Sequence, residues 1–135
     1  MIQRIQSIWL LLAAACGFTT LVASFYIGSS GTLPVEHFTA QSSILLTITT
    51  VIAATLSAVT IFLYKNRPLQ IKLGFAAFAL SIINIVLFFV GIKKYTSGGI
   101  ALESVAAFVV PVFILLAIRA IWKDEKLVKS TDRLR

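Results

Sequence analysis

Apolar residues fall into four long stretches, roughly Ile8–Ile27, Ile44–Tyr64, Leu73–Ile92 and Ile100–Ile121, with no Asp, Glu, Lys, Arg or His deep inside any of them. Each is close to the roughly 20 residues that a helix rising about 1.5 Å per residue needs to cross the hydrocarbon of a bilayer. The expected fold is therefore all-α: an integral membrane four-helix bundle. Its connections are short, which predicts antiparallel neighbours in an up-down-up-down order.

The breaks between stretches carry turn chemistry. Gly28–His37 is rich in Gly, Ser and Pro and reads as an exposed loop. Lys65-Asn66-Arg67-Pro68 ends one helix and opens the next, since proline is tolerated in a first turn but not within the incoming helix. Lys93–Gly99 is a glycine turn. The two halves echo each other loosely in this plan, with Glu36 and Glu103 at matching places, as any two membrane hairpins do.

The chain has 135 residues, so four crossings leave a single domain, 1–135, with a C-terminal tail, 122–135, and no room for a separate catalytic domain. The net charge of +7 gathers at the ends of the apolar stretches and reads as membrane-surface charge, with no nucleic acid expected. Arg4, Lys65, Arg67, Lys72 and the tail cations fall on one side, against Lys93 and Lys94 on the other. This asymmetry predicts both termini in the cytoplasm and a bacterial inner (cytoplasmic) membrane location. Trp9, Tyr64 and Trp122 mark one interface and Tyr26 and Tyr95 the other. The run before Cys16 also resembles a signal peptide with a lipoprotein-type cysteine, but the apolar stretch continues to Ile27, which favours an uncleaved helix. A lone cysteine excludes an internal disulfide and a CxxC pair.

Candidate chemistry is sparse. In the second stretch Ser43, Thr47, Thr50, Ala54 and Ser57 recur at spacings of four and three, which predicts a helix-packing stripe, with Leu45, Ile48, Ile52, Leu56, Val59 and Leu63 on the lipid side. Asn84 and Pro111 lie at nearly equal depth on successive stretches, a candidate structural polar pair in which the Asn84 amide serves the Ala107 carbonyl freed by Pro111. Glu36 and His37 are the one conceivable acid-base or metal set, and a metal needs three or four converging ligands. There is no HExxH, no GxSxG and no Walker-type loop. No catalytic residue, no metal ligand and no cofactor is assigned, and an enzyme is not expected.

The tail is the most distinctive segment. Glu125 and Lys129 have the favourable i,i+4 order, and Leu127 and Leu134 repeat on one side. Arg4, Lys123, Lys126, Lys129, Arg133 and Arg135 are the candidate contacts to a partner or to lipid, a solvated topological anchor being the equal alternative. The opening Met1-Ile2-Gln3-Arg4-Ile5-Gln6 and the closing Asp124-Glu125-Lys126-Leu127-Val128-Lys129-Ser130-Thr131-Asp132-Arg133-Leu134-Arg135 resemble the bacterial domain of unknown function 4293 family of small four-helix membrane proteins. Lys129 stands where that tail pattern has arginine. The resemblance implies a membrane bundle with distinctive polar ends, and supplies no activity.

The expected role is a non-enzymatic accessory or assembly subunit presenting a basic tail to a partner, with membrane lipids and a larger membrane complex or homo-oligomer as its company. The alternative is a binder or carrier of a lipid or small apolar molecule, with the second-stretch stripe, Asn84 and Pro111 lining its cavity.

Overall fold

The computed structural model describes the backbone of residues 2–32 and 34–135, and side chains from residue 5 onward. Four helices dominate: α1 (Ile2–Thr19), α2 (Ile44–Phe62), α3 (Arg67–Ile92) and α4 (Val105–Asp132). Among the described residues, α2, α3 and α4, the last counted from Leu102, are long and apolar enough to cross a membrane. The first apolar helix is shorter, Ile5–Thr19. Helix α1 packs on α2 and α4, and α3 packs on the same two.

The expectation of an all-α chain is corrected by a small antiparallel sheet. Strands β1 (Tyr26–Ser29), β2 (Glu36–Phe38) and β3 (Ser97–Ile100) pair in the order β2-β1-β3. The expected span Ile8–Ile27 therefore ends as a helix at Thr19, and its last residues become β1. Thr19 and Thr20 turn their hydroxyls onto the carbonyls of Cys16 and Gly17, at 2.8 and 2.6 Å. Beyond them Phe25, Tyr26 and Ile27 are residues that suit a pleated surface as well as a helix. Likewise Ile100 lies in β3, and the helix expected from it starts at Val105 after a single 3-10 turn, Leu102–Ser104.

Register follows from close packing at glycine. Gly28 faces Gly98 across β1 and β3. Gly98 has φ +152°, and a Cβ there would strike the Ile27 carbonyl and Gly28 Cα, so no side chain fits between these strands. On the other edge Tyr26 faces Phe38 and Gly28 faces Glu36. The sheet thus joins the α1–α2 connection to the α3–α4 connection.

The helices carry their apolar and polar residues in the opposite sense to a water-soluble bundle. Ile8, Leu11, Ile48, Val59, Ile83, Val86, Val112 and Leu115 are exposed. Much of the interior is small or hydroxylated: Ala13, Thr50, Ala53, Ala54, Ser57, Thr60, Ala77, Ser81 and Ala117 are buried, with Leu10, Ile114, Ile118 and Ile121 among them. Such a continuous apolar exterior marks contact with a nonaqueous phase, and small interior residues let backbones approach closely. At Gly17 an added Cβ would stand 3.0 Å from the Ala54 Cβ and 3.4 Å from its Cα, so α1 and α2 meet here almost backbone to backbone.

Larger side chains fill the sheet end. Phe25 stacks on Phe88 with ring centroids 4.3 Å apart, and Phe38 meets Phe88 edge-on at 5.9 Å. Phe25, Phe38, Ala40, Leu46, Phe88 and Ala107 form one buried cluster.

Candidate functional site

At the end of the bundle opposite the sheet, three polar contacts tie the helices together. Gln6 on α1 donates from Nε2 to the Ala120 carbonyl at 3.2 Å, and Gln70 on α3 donates to the Thr60 carbonyl at 3.1 Å. Arg67 Nη2, at the start of α3, lies 3.0 Å from Asp124 Oδ2 on α4 as a charge contact without an aligned hydrogen bond. Gln6, Gln70 and Asp124 are all buried. Sequence reasoning passed over them because each is an ordinary polar residue near a helix end. Their meeting carries no signal until the helices are assembled.

Helix α4 then continues beyond this layer to Asp132. Every residue from Lys126 onward is exposed, including Leu127, Val128 and Leu134. Of the candidate contacts, Lys123, Lys126, Lys129, Arg133 and Arg135 are exposed, and the Arg4 side chain lies outside the described residues. Lys129 Nζ is 2.7 Å from Glu125 Oε1, one helical turn back. An ion pair this exposed contributes little to stability, but it fixes the lysine's position on the helix.

Two clefts flank this projecting helix. One, of about 550 Å³, runs along Trp122, Lys126, Lys129 and Arg133. The other, of about 520 Å³, lies between Tyr64, Lys65, Arg67 and Pro68 of the α2–α3 turn and Glu125, Val128 and Lys129 of α4.

The bundle interior contrasts with these clefts. Asn84 is buried and donates from Nδ2 to Thr50 Oγ1 at 2.8 Å, while Thr49 Oγ1 lies 3.1 Å from Asn84 Oδ1. Thr50 in turn donates to the Leu46 carbonyl at 2.7 Å. The expected pairing of Asn84 with Pro111 is thus corrected, because the Asn84 amide is turned toward α2. Pro111 itself is buried inside α4. Asn84, Thr50, Ser81, Gly17, Ala107 and Val110 share a gap of about 10 Å³, no larger than one water needs. Along the stripe on α2, Thr50, Ala54 and Ser57 are buried, whereas Ser43 and Thr47 are half-buried near the helix start. Thr47 and Ser57 hydroxyls bond carbonyls of their own helix, at Ser43 (3.0 Å) and Ala53 (2.9 Å).

At the sheet end Glu36 and His37 do not converge. They are neighbours on β2, and a strand sends successive side chains to opposite faces. His37 Nδ1 lies 3.1 Å from Ser24 Oγ, while the Glu36 carboxylate acts on Tyr95. Burial first and that carboxylate second push the Tyr95 phenol up from its ordinary value. Glu103 arrives from the α3–α4 connection and accepts the Ser24 backbone N–H at 2.6 Å. A serine, a histidine and a glutamate therefore meet, but the carboxylate holds the serine backbone and not the imidazole. Orientation of a base by a third group, which a nucleophilic triad needs, is not provided by this contact. Among the described residues no group of three or more His, Cys, Asp or Glu could hold a metal ion.

The model of the domain of unknown function DUF4293 matches residues 2–134. The chain belongs to the DUF4293 family. The match runs through the projecting part of α4 almost to the last residue, so the DUF4293 domain comprises the bundle, the sheet and the tail together. No curated protein and no solved structure matches the chain.

Proposed function

We propose that this DUF4293 protein is a non-enzymatic accessory or assembly subunit of a bacterial inner membrane, with a basic cytoplasmic helix that meets a partner. The observation that carries this reading is the continuation of α4 to Asp132 with every residue from Lys126 exposed. An ordered helix that leaves Leu127 46% and Val128 41% exposed between lysines has a face left largely uncovered by the described residues.

The companion reading of topology is an up-down-up-down bundle with both termini in the cytoplasm. It is supported by the sheet, which draws the α1–α2 connection together with the α3–α4 connection that carries Lys93 and Lys94, and by the cations of the opposite end. Helix α1, at 18 residues, extends about 27 Å and spans with the others when its exposed Ile5, Ile8, Leu11 and Phe18 face lipid. The small gap beside Asn84 supports an accessory role over a carrier, which needs an opening to admit its ligand.

Affinity purification in mild detergent of the full chain and of a chain ending at Lys123 tests the proposal. Proteins that co-purify with the full chain are expected to be lost from the shortened one. An unchanged set removes the tail from the role.

A further inference from the structure

We propose that the cleft between the α2–α3 turn and α4 binds the phosphate headgroup of an anionic phospholipid. The proposal rests on the topological reading above, which places this turn and the tail on one membrane face. The cleft is built by two elements far apart in sequence: Tyr64, Lys65, Arg67 and Pro68 form one wall, and Glu125, Val128 and Lys129 the other.

Its charge suits one phosphodiester. Arg67 is engaged by Asp124 and Lys129 by Glu125. Lys65 has no ion pair among the described residues, which leaves one cation at the cleft without an acid. The Arg67–Asp124 contact joins the start of α3 to α4 beside the cleft that Arg67 lines. The first turn of α3 contains no acid that would compete for them.

Its depth suits a headgroup. The apolar part of α2 ends at Phe62 and Leu63, so Lys65 stands just outside the hydrocarbon. Lys129 follows Trp122 by seven residues, a rise of about 10 Å, and a four-carbon stem lets its ammonium reach back toward the surface. The polar layer of a bilayer leaflet is roughly 5–8 Å deep. Both ammonium groups therefore reach the level at which phosphates lie, while Tyr64 and Val128, exposed by 53% and 41%, offer apolar surface to the glycerol and upper chain. Lys126 and Arg133 line the other cleft and provide an internal control of equal charge.

The test uses the purified full chain in detergent, with thermal melting read after addition of phosphatidylcholine, phosphatidylglycerol or inorganic phosphate. Phosphatidylglycerol is expected to raise the melting temperature several degrees beyond phosphatidylcholine. The Lys65→Gln/Lys129→Gln variant is expected to lose that difference and the Lys126→Gln/Arg133→Gln variant to keep it, each measured against its own phosphatidylcholine baseline. Equal effects of the two lipids, an equal loss in both variants, or the same rise with inorganic phosphate overturns the proposal. So does a rise seen only with an acidic peptide, which would make the cleft a protein-docking site. Maleimide labelling of Lys65→Cys in a Cys16→Ser background, compared with a C-terminal tag in inverted vesicles, separates the two failures. Labelling from opposite sides sinks the topology, whereas labelling from one side without lipid preference sinks the headgroup site alone.

Discussion

Asn84 and Thr50 join α3 to α2 through a side-chain hydrogen bond of 2.8 Å, and Thr50 relays it to the Leu46 carbonyl at 2.7 Å. Interhelical hydrogen bonds in membranes average about 0.6 kcal/mol and reach about 1.7. Asn84→Ala and Thr50→Ala are expected each to lower stability by about 1 kcal/mol, with the double variant losing less than the sum. The same cycle run with Pro111→Ala is expected to be additive, since the Asn84 amide serves α2. Unfolding in mixed micelles measures both cycles.

Gly91 on α3 lies against the ring of Phe38, and an added Cβ would overlap its Cζ and crowd Cε1. That ring is held between Phe88 and Tyr95, with centroids 5.9 and 5.8 Å away, so it has no open side into which to swing. Gly91→Ala is expected to destabilise the protein by about 1–3 kcal/mol, a typical cost of overpacking. Gly99→Ala, where nothing lies within 4 Å of the new Cβ, is the comparison and should be tolerated.

The Arg67–Asp124 contact is largely shielded, with side-chain exposures of 22% and 12%. Removing one partner leaves the other charge poorly solvated. Arg67→Gln or Asp124→Asn is therefore expected to cost about 1–3 kcal/mol, less than a fully buried pair because both groups retain some water. Replacing both residues should restore part of the loss. Protease sensitivity of the segment after Lys123 offers a local readout, since this contact anchors the base of the projecting helix.

Tyr95 gives an alkaline signature. Its folded phenol is raised by burial and by Glu36, so the fold favours the protonated form. The corresponding stability is fully present below the unfolded value of about 10 and is lost as pH rises through the folded value. Absorbance titration near 295 nm should show a tyrosine phase above the ordinary value of about 10. Tyr95→Phe should delete that phase, and Glu36→Gln should move it to lower pH.

Hydropathy located the helices of this chain because spans of about 20 apolar residues leave few alternatives in a bilayer. It misplaced the end of α1, since Phe25, Tyr26 and Ile27 continue the apolar run and only their pairing with Glu36–Phe38 and Ser97–Ile100 makes them a strand. That second pairing spans some seventy residues and leaves no local mark. The depth of Asn84 was legible, but its partner depended on how α3 is rotated about its axis. Ser24, His37 and Glu103 carried even less, because their meeting requires two separate connections to be in place. The exposed cations of the tail were legible as charge, whereas the cleft that Lys129 shares with Lys65 exists only once the α2–α3 turn lies beside α4.

The sheet also sets where the molecule can flex. Strand β1 sits between β2 and β3 and so clasps both helical hairpins at one end, like the spring of a pair of tweezers. Among the described residues, Gln6 on Ala120, Gln70 on Thr60 and Arg67 on Asp124 are polar contacts that hold the far end. A pull on the projecting part of α4 would therefore meet the Arg67–Asp124 contact before it reached the strands.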